Sequence, residues 1–99
     1  MQKFDIFDIA GELYLVVQAE HLLELNTVVL LPVLPIDSLP ELSRLTVDIR
    51  INAGQFRIRT HMPLTVEARR LRYLQPVARL SATEGQKVMD GLNTILWGL

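Results

Sequence analysis

The amino-acid sequence predicts a mainly β fold of the α+β class, in which a run of strands is followed by one C-terminal α-helix. Apolar and polar residues alternate with a period of two between Leu45 and Met62, as in a half-buried hairpin. From Ser81 onward the apolar residues recur with helical spacing instead. A chain of 99 residues holds one modest core, so we expect a single domain over residues 1–99.

Two β-like runs open the chain and predict a first hairpin. They extend from Lys3 to Ile9 and from Glu12 to Glu20, with Ala10-Gly11 between them as the turn. The run from Val28 to Leu34 is almost wholly apolar, which is typical of a strand buried on both faces. Pro32 within it has no backbone N–H, which predicts an edge position or a bulge.

The middle of the chain contains the clearest strand signal and the least clear one. A second hairpin is predicted over residues 45–62, with Asn52-Ala53-Gly54 as a three-residue loop that tolerates positive φ. Before it, the alternation breaks, and residues 41–43 are expected to form a short helical turn. After it, Leu64 to Leu80 predicts one or two further strands, whose register stays open because Pro76 interrupts the run.

The start of the helix is marked by Ser81 and, three residues later, Glu84, which together match a capping box. At about 100° per residue, five apolar side chains fall within an arc of about 100° and are expected to face the sheet. These are Val88, Leu92, Ile95, Leu96 and Leu99.

Trp97, the only tryptophan, lies about 145° from the centre of that apolar stripe and is predicted to face solvent. Leaving about 200 Å² of Trp surface in water forgoes about 5 kcal/mol of gross transfer free energy. One interpretation is that a partner's pocket buries the ring, since Trp is enriched at interface hot spots. The other is that the helix frays before Gly98 and the ring folds back onto the protein.

Composition restricts the classes of function. Hydrophobic residues make up 49% of the chain and charged residues 21%, with a net charge of −1, so no electrostatic footprint for nucleic acid is present. The chain has no cysteine, which excludes disulfides, thiolate catalysis and zinc sites built on sulfur. No signal peptide or membrane span is recognisable, so a cytoplasmic protein without cofactor is expected. Because so apolar a small chain exposes many aliphatic groups, self-association is also expected.

Two further groups of residues have the composition of possible sites. His21 stands beside Glu20 and near Glu24, as in a metal or acid–base site, but two solvated histidines, His21 and His61, account better for the pattern. Four arginines near Tyr73 form a basic cluster that could contact RNA, although a solvated and partly paired face is the preferred interpretation. They are Arg69, Arg70, Arg72 and Arg79.

Several segments, in order and spacing, resemble the CcdB family of toxins. They are Lys3–Phe7, Val17–Glu20, Leu25–Pro32, Pro76–Ser81 and Leu92–Leu99. The final Trp97-Gly98-Leu99 resembles the Trp-Gly-Ile ending of that family and is the most telling of them.

The resemblance implies a small antiparallel barrel-like sheet closed by the C-terminal helix, and a two-fold homodimer. It implies a toxin of a type II toxin–antitoxin module that binds the gyrase A subunit dimer and traps gyrase on cleaved DNA. A CcdA-like antitoxin is the second implied partner. The implied gyrase-binding residues are Trp97, Gly98, Leu99, Asn93, Leu96 and Leu22. His21 occupies the other loop position of the family's contact.

On this basis we expect a protein that acts by binding and is not an enzyme. Two alternatives stay open. One is a ribonuclease toxin of the same general fold, for which Arg69, Arg70 and His61 are the candidate residues. The other is a chromosomal relative that has lost gyrase poisoning.

Overall fold

The computed structural model describes residues 1–38 and 45–98. In these residues a curled antiparallel half-barrel sheet of seven strands is followed by one α-helix, which confirms the predicted fold class. The elements are β1 (Asp5–Ile9), β2 (Glu12–Val16), β3 (Thr27–Pro35), β4 (Thr46–Ile51), β5 (Gly54–Arg59), β6 (Leu64–Glu67), β7 (Ala78–Arg79) and α1 (Ala82–Trp97). The sheet order is β4-β5-β3-β2-β1-β7, and β6 pairs with β3 as well. The turn predicted at residues 41–43 lies outside the described residues.

Both predicted hairpins form. Ala10 and Gly11 turn the first one with φ values of 54° and 89°, a left-handed conformation that glycine adopts at little cost. In the second, Ile51 pairs with Gly54, so the loop has two residues rather than the three expected. Asn52 has a φ of 54°, and asparagine tolerates this conformation because its side chain hydrogen-bonds locally.

Pro32 lies inside the sheet and pairs with Tyr14 in a register with β2 that runs on without interruption, so the expected edge position is wrong and no bulge forms against β2. Residues 27–30 of β3 pair with β6 and residues 33–35 pair with β5, which leaves Pro32 in the interval between the two partner strands. Val17 N donates to Val29 O on the β2 side, so the even-numbered residues of β3 direct their backbone groups toward β5 and β6. The missing N–H of Pro32 therefore falls where no ladder partner is present.

The segment after β5, whose register the sequence left open, forms two short strands that pair with different strands of the sheet. β6 pairs with β3, and Val66 lies opposite Val28. A 3₁₀ turn, Ala68–Arg70, then leads the chain away, and β7 returns to pair with β1, where Ile6 lies opposite Ala78. Both registers depend on pairing with distant strands, which explains why local sequence did not fix them.

The two faces of the sheet carry separate apolar clusters. One contains Leu15, Leu31, Ile58 and Val88, so it is the face that α1 covers. The other consists of Phe7, Val16, Val28, Leu30 and Leu71. Alternate residues of β2 contribute to opposite clusters, as the period-two pattern requires. No helix in the described part of the chain is both long and apolar enough to cross a membrane.

The helix begins as predicted, but its apolar stripe is buried only in part. Its buried residues, Gly85, Val88 and Gly91, all lie before its last turn. Ile95 and Leu96 are 39% and 68% exposed, so the expectation that they face the sheet is wrong. Leu99 lies outside the described residues.

Replacing Ser81 by alanine is expected to lower the free energy of unfolding by about 1 kcal/mol. The Ser81 hydroxyl accepts a hydrogen bond from Glu84 N at 3.1 Å, and Glu84 Oε1 accepts one from Ser81 N at 2.9 Å. Urea unfolding followed by circular dichroism measures the change. Thr83→Ala is the matched control, because it removes a hydroxyl from the same helical turn without affecting the cap; equal losses in the two variants would contradict the capping role.

Candidate functional site

The exposed end of α1 forms the largest apolar surface among the predicted site residues. Trp97 is 72% exposed and Leu96 is 68% exposed, which confirms that the only tryptophan faces solvent. Asn93 is exposed as well, and it lies one turn before both of them at i+3 and i+4 spacing. We call Asn93, Leu96 and Trp97 the helix-end patch. The three side chains are neighbours on one face because α1 stays helical through Trp97.

Gly98 ends the helix directly after the patch. Its φ is 71° and its ψ is 21°, a left-handed C-cap, and its N–H donates to Thr94 O at 2.8 Å. The alternative in which the helix frays before Gly98 and Trp97 folds back is therefore wrong. A regular helix end with a glycine cap holds the indole outward.

Leu22, the remaining predicted site residue, lies in a loop between β2 and β3. It ends a 3₁₀ turn, Glu20–Leu22, and is 41% exposed, while Leu25 in the same loop is 51% exposed. The Gln18 side chain supports this loop, because its amide nitrogen donates to Leu22 O and its amide oxygen accepts from Val29 N. The loop therefore presents a second apolar surface, on an element separate from the helix-end patch.

The histidines differ from each other in environment. His21 is exposed, and the described residues contain no group of three or more His, Asp or Glu side chains arranged to hold a metal ion. His61 is half-buried, so the interpretation of two solvated histidines is wrong for His61. Its Nε2 lies 3.0 Å from Arg59 Nη2. A guanidinium only donates, so Nε2 accepts the bond and Nδ1 carries the ring proton.

Arg59 is a cation that sequence reasoning missed. It is only 8% exposed, its Nε and His61 Nδ1 are buried without a hydrogen-bond partner, and no carboxylate among the described residues pairs with it. Arg57, two residues earlier on the same face, contacts Asp48 at 2.7 Å, and its hydrogen bond holds the pKa of that carboxyl below its usual value. The signal was present in the period-two spacing of Arg57, Arg59 and His61, which places all three on one face.

Within the described residues, no hydrogen bond or ion pair joins His61 to Arg69 or Arg70, the other candidate ribonuclease residues. Arg69 forms an ion pair with Glu67 at 2.8 Å, and Arg79 forms one with the buried Asp5 at 3.0 Å. His61 contacts Arg59, which was not among the candidates. The basic cluster is therefore partly paired, as in the preferred interpretation. The cation in contact with His61 is Arg59, the last residue of β5.

The family comparison is clear, whereas the structural comparison extends to another class of protein. The family model described as "CcdB protein" matches residues 3–98. No curated protein sequence matches the chain at a significant level. A solved endoribonuclease from a mycobacterial species superposes with a TM-score of 0.80 at 13% identity, covering 100% of this chain and 92% of that one.

Two further solved structures are similar to nearly the same extent. The MazE–MazF complex from Deinococcus radiodurans gives a TM-score of 0.74 at 13% identity, with 97% of this chain and 95% of that chain covered. The Mycobacterium tuberculosis toxin MazF-mt6 gives 0.73 at 12% identity, with 96% of each chain covered. At these identities the likeness shows a shared fold.

The expectation that the protein is not an enzyme is wrong. It rested on the resemblance to a family that acts by binding, yet solved endoribonucleases share the architecture over almost their whole length. Catalysis is therefore open to a chain of this fold, and the site decides which function it carries.

Proposed function

We propose that this chain, which belongs to the CcdB family of toxins, is the toxin of a type II toxin–antitoxin module and binds the gyrase A subunit dimer. In this proposal the bound toxin holds gyrase on cleaved DNA. Trp97, Gly98 and Leu99 would make the central contact, with Asn93, Leu96 and Leu22 around them.

The observation that carries the proposal is the exposure of Trp97 at the end of a well-formed helix. The Trp97 indole is 72% exposed, so its burial in a partner's pocket makes the binding free energy more favourable. The helix that carries the indole is already formed before binding, so little conformational entropy is lost. Leu96 adds a second apolar side chain to the same face. A pocket that accepts two adjacent apolar groups beside an amide fits this patch.

The same exposure supports two further parts of the proposal, a homodimer and an antitoxin partner. Ile95 is 39% exposed on the helix side that was expected to face the sheet, so a second copy of the chain has an apolar surface to cover. Among the similar structures, one endoribonuclease is described as in complex with its cognate antitoxin. An antitoxin segment that covers the helix-end patch would compete directly with gyrase.

The proposal is tested by adding the purified protein to gyrase, ATP and supercoiled plasmid, then denaturing the mixture. We expect linear DNA to accumulate with protein concentration, because the trapped enzyme has cut both strands. A reaction without the protein is the control. Plasmid that stays intact at every toxin concentration would contradict gyrase poisoning and favour a relative that has lost it.

A second candidate is an endoribonuclease toxin, which the likeness to solved endoribonucleases favours. Arg59 and His61 provide a cation and an imidazole in direct contact, although Arg59 is only 8% exposed and His61 is half-buried. Incubating the same preparation with RNA separates the candidates, since RNA cleavage with intact plasmid favours the second and the reverse favours the first.

A further inference from the structure

A cleft of about 310 Å³ opens on the sheet face opposite α1, and neither the helix-end patch nor Arg59 and His61 line it. It lies between the β1–β2 hairpin, β6 and the 3₁₀ turn that follows β6. Its walls are apolar side chains from four elements: Ile9, Tyr14, Leu30 and Val66, with Leu64 beside them. Leu30 is fully buried and forms the floor. The volume is in the range of small-molecule sites.

Three polar groups converge on the cleft. The Tyr14 hydroxyl donates to Glu12 Oε2 at 2.7 Å, and this hydrogen bond to the carboxylate, with burial, raises the pKa of Tyr14. Arg70 also lines the cleft and acts on the pKa of Tyr14 in the opposite direction through its charge. A carboxylate oxygen has two acceptor sites, so Glu12 retains capacity for further donors after binding Tyr14.

Arg70 has no ion pair or hydrogen bond within the described residues, in contrast to its neighbour Arg69, which is paired with Glu67. The turn that carries it continues into Arg72 and Tyr73, and Tyr73 is 92% exposed. An unpaired guanidinium at the rim of an apolar cleft favours a ligand with both a flat apolar part and an anionic part.

We propose that this cleft binds a nucleotide, with the base between the apolar walls, the base N–H groups donating to Glu12, and the phosphate on Arg70. Guanine matches best, because its ring N–H and amino group present adjacent donors to one carboxylate. The inference does not depend on gyrase binding, so the nucleotide titration and the gyrase assay test separate proposals.

The test is a titration of the ¹⁵N-labelled protein with guanosine 5′-monophosphate, followed by amide chemical shifts. We expect saturable shifts at Ile9, Ala10 and Val66, which line the cleft or its rim. Arg70→Gln should weaken binding about tenfold or more, since it removes a charge-assisted bond to phosphate. Arg72→Gln is the matched control, because it removes an equal charge close by in the chain but outside the cleft lining.

Each outcome decides the inference. Binding lost in Arg70→Gln and kept in Arg72→Gln supports it, and tighter binding of a guanine-containing single-stranded RNA hexamer identifies RNA rather than the free nucleotide as the source. Equal weakening in both variants would show unspecific charge attraction and overturn it. If neither guanosine 5′-monophosphate nor the RNA hexamer causes saturable shifts, nucleotide binding in the cleft is overturned. The same conclusion holds if the cleft binds an acidic antitoxin peptide and neither nucleotide probe.

Discussion

Trp97→Ala is expected to abolish trapping of cleaved DNA at toxin concentrations where the natural chain gives full linearisation. Truncating a central interface Trp costs about 2–4 kcal/mol of binding free energy, or roughly 30- to 900-fold in affinity. The fold is expected to be unchanged, because the indole is 72% exposed and contributes little to the core. The plasmid assay measures the first effect, and thermal unfolding followed by circular dichroism measures the second.

Tyr73→Ala is the matched control for this variant. Tyr73 is also a large exposed aromatic residue, at 92%, but it lies in the turn after β6 rather than at the helix end. If gyrase recognises the helix-end patch, Tyr73→Ala keeps full trapping. Full trapping by Trp97→Ala, or an equal loss in both variants, would show that gyrase is bound elsewhere.

Gly85→Ala is expected to destabilise the fold, although alanine is the better helix former by about 1 kcal/mol. A Cβ at this position would lie 2.5 Å from Phe4 Cε2 and 2.8 Å from Phe4 Cδ2. Phe4 cannot withdraw easily, because its backbone, with a φ of 72°, is held by hydrogen bonds with Val16 O and Leu80 N. Overpacking of this kind costs about 1–3 kcal/mol.

Chemical unfolding of Gly85→Ala, Phe4→Leu and the double variant tests this contact. The smaller leucine side chain should relieve the overlap, so the double variant should be more stable than the sum of the two single losses predicts. Strict additivity, or an unchanged stability of Gly85→Ala alone, would mean that α1 and the N-terminal segment are not in close contact at this point.

The elements that the sequence predicted well are those whose pattern is local. The capping box at Ser81 and the alternation of β4 and β5 follow from residues a few positions apart, and both are confirmed. The outward direction of Trp97 also follows from the helical repeat alone. Each of these depends on one element and needs no knowledge of its neighbours.

The predictions that were wrong depend on contacts between elements. Pro32 is interior because β3 changes partner from β6 to β5 at that point, which no local pattern reveals. Ile95 and Leu96 are exposed in the last turn of α1, and how much of a helix the sheet covers does not follow from the helical repeat alone. The period-two spacing places Arg59 and His61 on one face. The burial of Arg59 and the partial burial of His61 depend on the curl of the sheet, which the spacing does not show.

The glycine cap of α1 also affects which chemical groups a partner needs in order to bind the end of this helix. Gly98 N–H satisfies Thr94 O, while the carbonyls of the three residues before the cap have no donor within the helix. The last turn carries no Lys, Arg or His, so the negative end of the helix dipole is uncompensated next to the indole. A molecule that covers Trp97 therefore removes water from these oxygens, and it has to bring N–H groups or a positive charge to the rim of its apolar pocket.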